Sequence, residues 1–169
     1  DETDDMVLAP ISYAATADFA AVMAKASVLY AEYDADFAKS CLDAATNAYA
    51  FLEANPDMKG YENPEDLVTG AYDDTHLADE TLWASAEMYI ATKDAKYLTA
   101  TKTALDSNYL TGFGWADIGS YALYDLAKTE GVDADVAKTA KEKLLADADE
   151  TLSKAESEGF FTGMGVTYP

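Results

Sequence analysis

No arginine occurs among the 169 residues; all 11 basic side chains are Lys. Bidentate guanidinium clamps on carboxylate or phosphate are therefore excluded. Cys41 is the only cysteine, so neither an intrachain disulfide nor a cysteine-based zinc site can form. It stands among Ala residues in a helical pattern and reads as a small buried thiol. His76 is the only histidine, which leaves a zinc cluster or a Ser-His-Asp arrangement little to build on. No apolar run approaches the roughly 18 residues of a membrane span. There is no initiating Met and no signal peptide; the chain opens on Asp1-Glu2-Thr3-Asp4-Asp5 and stops at Tyr168-Pro169. Its ends read as those of a fragment or a processed piece of a longer chain.

What is present is acid. With 32 Asp and Glu against 11 Lys, the formal net charge is −21. Such a surface disfavours nucleic acid and anionic membranes and favours cations. The length and the 50% hydrophobic content support one core and are too small for two comfortable domains.

The apolar spacing is helical throughout. Over 13–33, Phe19, Met23, Ala26, Tyr30 and Tyr33 form one stripe. Asp34 caps a second helix with Phe37, Cys41, Ala44, Ala48 and Leu52 on one face, and Asn55-Pro56 ends it. Residues 57–78 hold Gly60, Pro64 and Gly70 and read as a long loop, the usual place for function. A third helix follows Asp79 and a fourth follows Asp94. Gly112-Phe113-Gly114-Trp115 breaks the pattern. A fifth helix covers about 117–129 and stops at Gly131. Asp133 caps a sixth, striped by Val136, Ala140, Leu144, Ala148, Leu152 and Ala155. The tail from Gly159 to Gly165 is glycine-rich and irregular. No β-alternation is visible. The expectation is an all-α fold of antiparallel helical hairpins laid side by side, with Ala at the inner positions allowing close approach.

Asp79 and Glu80 are the strongest site candidates. One reading is helix chemistry: Asp as N-cap, Glu favourable in the first turn. The other is calcium, because a hard cation takes several oxygens from carboxylates and loop carbonyls together. Asp73 and Asp74, in the same loop, read as solvated turn residues. Trp115 sits on a Gly-flanked turn, and one reading of it is a core residue. Trp83, spaced with Ala86 and Ile90, reads as core. Tyr72 lies in the loop.

Three segments in order resemble one family. The first is Ser12-Tyr13-Ala14-Ala15-Thr16-Ala17-Asp18-Phe19-Ala20-Ala21, followed by Tyr33-Asp34, Phe37-Ala38 and Cys41-Leu42. The second is Gly70-Ala71-Tyr72-Asp73-Asp74, Asp79-Glu80, Trp83-Ala84-Ser85-Ala86-Glu87-Met88-Tyr89, then Thr92-Lys93-Asp94 and Tyr97. The third is Gly114-Trp115-Ala116-Asp117. Together they are similar to the inverting cellulases of glycoside hydrolase family 9, from Ser12 to Tyr168. The resemblance implies an (α/α)6 barrel of six inner and six outer helices, with a substrate cleft at one end. Residues 1–169 would be a single partial catalytic-domain segment, about half of that barrel, and 1–11 a linker-like N-terminal tail. It implies a secreted β-1,4-glucan hydrolase as the parent. Trp115 and Tyr72 would contact the glucan. A structural calcium would be held by Thr75, His76 (through its carbonyl), Asp79, Glu80 and Asp117.

Inversion needs two carboxyl groups flanking the scissile bond with room for a water. The resemblance places the base in an Asp-Ala-Gly-Asp motif before this block and the acid in a Glu after it. Neither occurs here; Asp147-Ala148-Asp149 falls in a helical pattern without the glycine turn. The expectation is that this chain carries no catalytic residue and is inactive alone. A half-barrel exposes apolar helix faces, so it is expected to pack with the rest of its own catalytic domain or to dimerise. The alternative is a non-catalytic acidic helical scaffold or a calcium-stabilised binding module.

Overall fold

The computed structural model describes residues 8–65, 70, 73–160 and 163. It contains α1 (Tyr13–Tyr30), α2 (Ala35–Ala54), α3 (Ala78–Thr92), α4 (Ala95–Leu105), α5 (Gly119–Lys128) and α6 (Ala134–Ser157). Among the described residues the only β-pairing is an isolated bridge between Tyr61 and Asp74 in the long loop.

Local chemistry sets most helix ends. Ser12 is extended and its hydroxyl accepts the Ala15 N–H at 3.2 Å. Asp34, Asp94 and Asp133 do the same for Phe37, Lys96 and Val136, each satisfying a donor that the first turn leaves orphaned. Lys93 adopts the left-handed conformation (φ 56°) and turns α3 sharply into α4.

Packing divides the helices into two rows. α1 packs on α3 and α3 on α5, while α2, α4 and α6 each back onto the helix they follow. Odd helices thus form an inner row and even helices an outer one, as expected for three neighbouring hairpins of an (α/α)6 barrel. The core is spaced by alanine: Ala17, Ala20, Ala24, Ala45, Ala84, Ala86 and Ala122 are fully buried. Leu82, Met88, Leu123 and Leu126 fill the gaps, each contributing about 1.5–3 kcal/mol.

The α1 stripe expected from the large residues is not the buried one. Phe19 and Tyr30 are each 47% exposed, and the face packed on α2 and α3 is Ala14, Ala17, Ala20, Ala21, Ala24 and Ser27. Small side chains win there because they let the inner helices approach closely, and the bulky stripe is left on an open flank with Val22 and Leu29. The other end of the row mirrors this. Val136 and Ala140 are buried, but Leu145 and Leu152, further along α6, are more than half exposed. Leu152 borders a groove of about 630 Å³ that Phe113, Leu144 and Thr151 help to line. On α2 the buried face is Ala38, Cys41, Ala45, Tyr49 and Leu52, with Phe37 displaced to the surface.

Candidate functional site

All three inner helices begin at the same end of the row, and the loops before α3 and α5 meet there. α3 starts two residues earlier than expected. Leu77 occupies the cap position without a side-chain bond, and Asp79 lies inside the first turn. Asp79 is therefore not an N-cap. Its Oδ2 accepts the Ile118 N–H at 3.0 Å, 39 residues on. Its Oδ1 has no hydrogen-bond partner; His76 Nδ1 stands 4.0 Å away. Asp79 and Glu80 are at most 1% exposed, and Glu80 Oε2 likewise lacks a partner.

Burial pushes the Asp79 carboxyl up from its ordinary value, against the pull of the Ile118 N–H, and nearby Asp74 adds to the rise. Burial also drives Glu80 up to about 9, reinforced by a side-chain hydrogen bond with Asp74 and by the charge of Asp79. Asp18, on the facing turn of α1, is raised to about 6 by burial and then by Asp74 and Asp79. Its Oδ1 is a further buried acceptor without a donor. Uncompensated buried carboxylate oxygens cost stability unless a proton or a cation meets them.

Thr75 is exposed and His76 half-buried just ahead of α3. The His76 N–H donates to Asp74 Oδ1 at 3.2 Å, which leaves its carbonyl outside that bond. Asp117 is exposed and adjoins Ile118, so the loop before α5 is tied to Asp79 through one peptide. Among the described residues no three acidic, histidine or cysteine side chains are arranged to hold a metal by themselves. A cation here would need hydroxyl and carbonyl oxygens beside the two carboxylates. That mixed donor set is the one calcium takes, and the orphaned Asp79 Oδ1 and Glu80 Oε2 fit it.

The loop before α5 is closely tied. Gly114 N–H donates to Asp117 O, Gly112 N–H to Ser120 Oγ, and Gly119 N–H to Leu110 O. Gly119 has no room for a side chain: a Cβ would stand 2.4 Å from Leu110 O, 2.9 Å from Tyr109 Cδ2 and 3.4 Å from Asp79 Cβ. Trp115 rides on this loop and is 66% exposed; it is not a core residue. On the same loop, Phe113 meets the Tyr121 ring edge-on at 5.0 Å, and Tyr121 stacks on Trp83 at 5.2 Å. The Tyr121 hydroxyl donates to Phe113 O at 3.3 Å. Trp83 is partly buried in this stack rather than a simple core residue. Tyr72 lies outside the described residues.

Sequence reasoning missed Asp18 and a cluster of Lys25, Glu87 and Asp125. Trp83 and Glu87, four apart on one helix face and joined at 3.1 Å, were detectable by spacing. Lys25 and Asp125, 100 residues apart, were not.

The family model for glycosyl hydrolase family 9 matches residues 5–168. Endoglucanase D of Acetivibrio thermocellus is 32% identical over 172 residues, a match covering 99% of this chain and 27% of that protein. A cellodextrinase of Butyrivibrio fibrisolvens is 31% identical over 180 residues, covering 98% and 33%. Among solved structures, a single-mutant thermostable endoglucanase from Alicyclobacillus acidocaldarius superposes with a TM-score of 0.87 at 38% identity, covering 98% of this chain and 31% of that one. The same values relate the chain to AaCel9A in complex with cellobiose-like isofagomine. The chain spans roughly a quarter to a third of the length of these relatives.

Proposed function

The chain belongs to glycosyl hydrolase family 9, and from that premise we propose that it is an arc of the catalytic barrel of a secreted β-1,4-glucan hydrolase. Its part is to hold substrate and to brace the cleft. Proton transfer belongs to segments outside it. The observation that carries this reading is the exposed Trp115 indole on a loop pinned to the starts of α3 and α5. An exposed indole suits the axial C–H face of a glucosyl unit. Endoglucanases and a complex with cellobiose-like isofagomine among the similar proteins support a glucan as the ligand. Tyr72 is the second glucan contact this reading proposes.

Calcium is the cofactor this reading assigns, held by Asp79 and Glu80 with oxygens of Thr75, His76 and Asp117. When bound, it supplies charge compensation for the two buried carboxylates and stiffens the loops. Asp79 orients the loop before α5 through the Ile118 N–H, and that loop presents Trp115.

No residue is assigned as acid or base. Inversion requires carboxyl groups about 6.5–9.5 Å apart on either side of the sugar, and the family's Asp-Ala-Gly-Asp is absent from these residues. The chain alone is therefore expected to bind glucan weakly and to cleave none. Two measurements on the purified chain test this. Cello-oligosaccharide should change tryptophan emission in the wild type and not in Trp115→Phe, and a soluble β-1,4-glucan should release no reducing sugar. Emission indifferent to sugar, or turnover, overturns the reading. An acidic helical scaffold without sugar binding is the other outcome.

A further inference from the structure

The three inner helices meet at one largely buried charge cluster, along their length rather than at their N-terminal ends. Lys25 of α1 donates from its ammonium to Asp125 of α5 and stands 3.7 Å from Glu87 Oε1 of α3. The Trp83 indole N–H donates to that same Glu87 oxygen at 3.1 Å. The Lys25 ammonium thus lies between the Glu87 and Asp125 carboxyls and brings α3 and α5 together at this point. Glu87 is 2% exposed and Asp125 16%.

Two carboxyls and one ammonium cannot balance when both acids ionise. The surplus negative charge would sit in a nearly dry site, where water screens it poorly. One proton between the acids removes the surplus and turns repulsion into a hydrogen bond. We propose that Glu87 and Asp125 share a single proton, held on Glu87 and donated to Asp125, and that this pair with Lys25 locks α1, α3 and α5 together. Loss of the proton to solvent leaves two facing carboxylates with one cation and loosens the lock.

The electrostatics agree. Burial first, and then the Asp125 hydrogen bond and charge, push Glu87 up to about 8, while Lys25 and the Trp83 N–H pull the other way. Burial lowers Lys25, but its bond to Asp125 and the charge of Glu87 leave it raised overall. The groups acting on Glu87 come from α1 (Lys25), α3 itself (Trp83) and α5 (Asp125); α2 and α4 contribute none among them. Glu87 is seven residues along α3 from Glu80, about 10 Å of helix, so this cluster is distinct from the calcium candidate. The proposal does not depend on glucan binding.

Trp83 reports the proton directly, because its indole is bonded to Glu87. The test uses the 169-residue chain with Trp115→Phe, leaving Trp83 as the only tryptophan. Emission and far-UV circular dichroism are followed from roughly pH 6 to 9.5, a range spanning the raised glutamate. The expected result is an emission change centred near pH 8 while the helical signal persists. Adding Glu87→Gln should abolish the change. Adding Asp125→Asn instead should move its midpoint down by about one pH unit or more, because Lys25 is then left to Glu87 alone. A flat profile in the parent, a transition unaffected by Glu87→Gln, or a midpoint unmoved by Asp125→Asn overturns the proposal. Should Glu87→Gln fail to fold, the Asp125→Asn midpoint decides.

Discussion

Asp79 receives the Ile118 N–H on one carboxylate oxygen at 3.0 Å and nothing on the other. The first oxygen fastens the start of α3 to the loop before α5. The second, with the unpartnered oxygen of Glu80 beside it, leaves negative charge in a dry place. The proposed calcium would complete this half-satisfied pair.

Added calcium should therefore raise the melting temperature, and chelator should reverse the gain. At calcium about 100-fold above Kd the increment is about 2.7 kcal/mol. Glu80→Gln separates metal binding from simple burial. In chelator this variant should melt no lower than the wild type, because burial already favours an uncharged Glu80; in calcium it should lose most of the increment. Scanning calorimetry in both buffers checks this, and identical wild-type melts would remove the metal.

Metal binding should also release protons. Glu80, raised to about 9 in the metal-free fold, holds its proton at neutral pH, so calcium must displace it and its affinity should climb with rising pH. Titration calorimetry in buffers of different ionisation enthalpy measures the number released; a value of zero at neutral pH contradicts the arrangement.

Asp18 gives a stability slope of known sign. Its folded pKa of about 6 lies above the ordinary 3.8, so the folded chain keeps a proton that the unfolded chain gives up. That contribution is complete below the ordinary value and disappears as pH rises through about 6. Urea midpoints of the chelated protein should accordingly fall between these limits, and Asp18→Asn should flatten the fall. An unchanged slope in the variant would show that the carboxyl is solvated.

Alanine spacing of the inner row makes enlargement costly. Ala20 and Ala24 are fully buried on α1, and either one changed to Leu should destabilise by about 1–3 kcal/mol. Phe19→Asp, on the same helix, should cost little in folding, since it is nearly half exposed. Denaturant midpoints of the three variants make the comparison.

The two open flanks should drive association. Light scattering at high concentration is expected to find more than a monomer for the wild type. Phe19→Asp combined with Leu152→Asp should bring it back to a monomer. A wild type that stays monomeric at high concentration argues that the flanks are self-sufficient.

The helical hairpins were legible in the chain because their punctuation is local: Asp34, Asp94 and Asp133 cap the helices as read. The buried face of α1 was not. Hydrophobicity ranks Phe19 and Tyr30 above Ala17 and Ala24, whereas packing distance between helices ranks them in reverse. Asp79 and Glu80 could be singled out as a pair, but Asp79 looked like a cap. Its real partner, Ile118, is brought to it by tertiary structure alone. The Lys25–Asp125 contact was equally invisible, since nothing in either segment refers to the other.

Gly119 carries a practical lesson for anyone redesigning the cleft. Loops are the habitual targets of directed evolution, and this one invites randomisation because Trp115 rides on it. Position 119 should stay out of any such library. Even one methyl there would collide with the Leu110 carbonyl and wedge the strut between Asp79 and Ile118 apart, undoing at a stroke the alignment that variation elsewhere in the loop relies on.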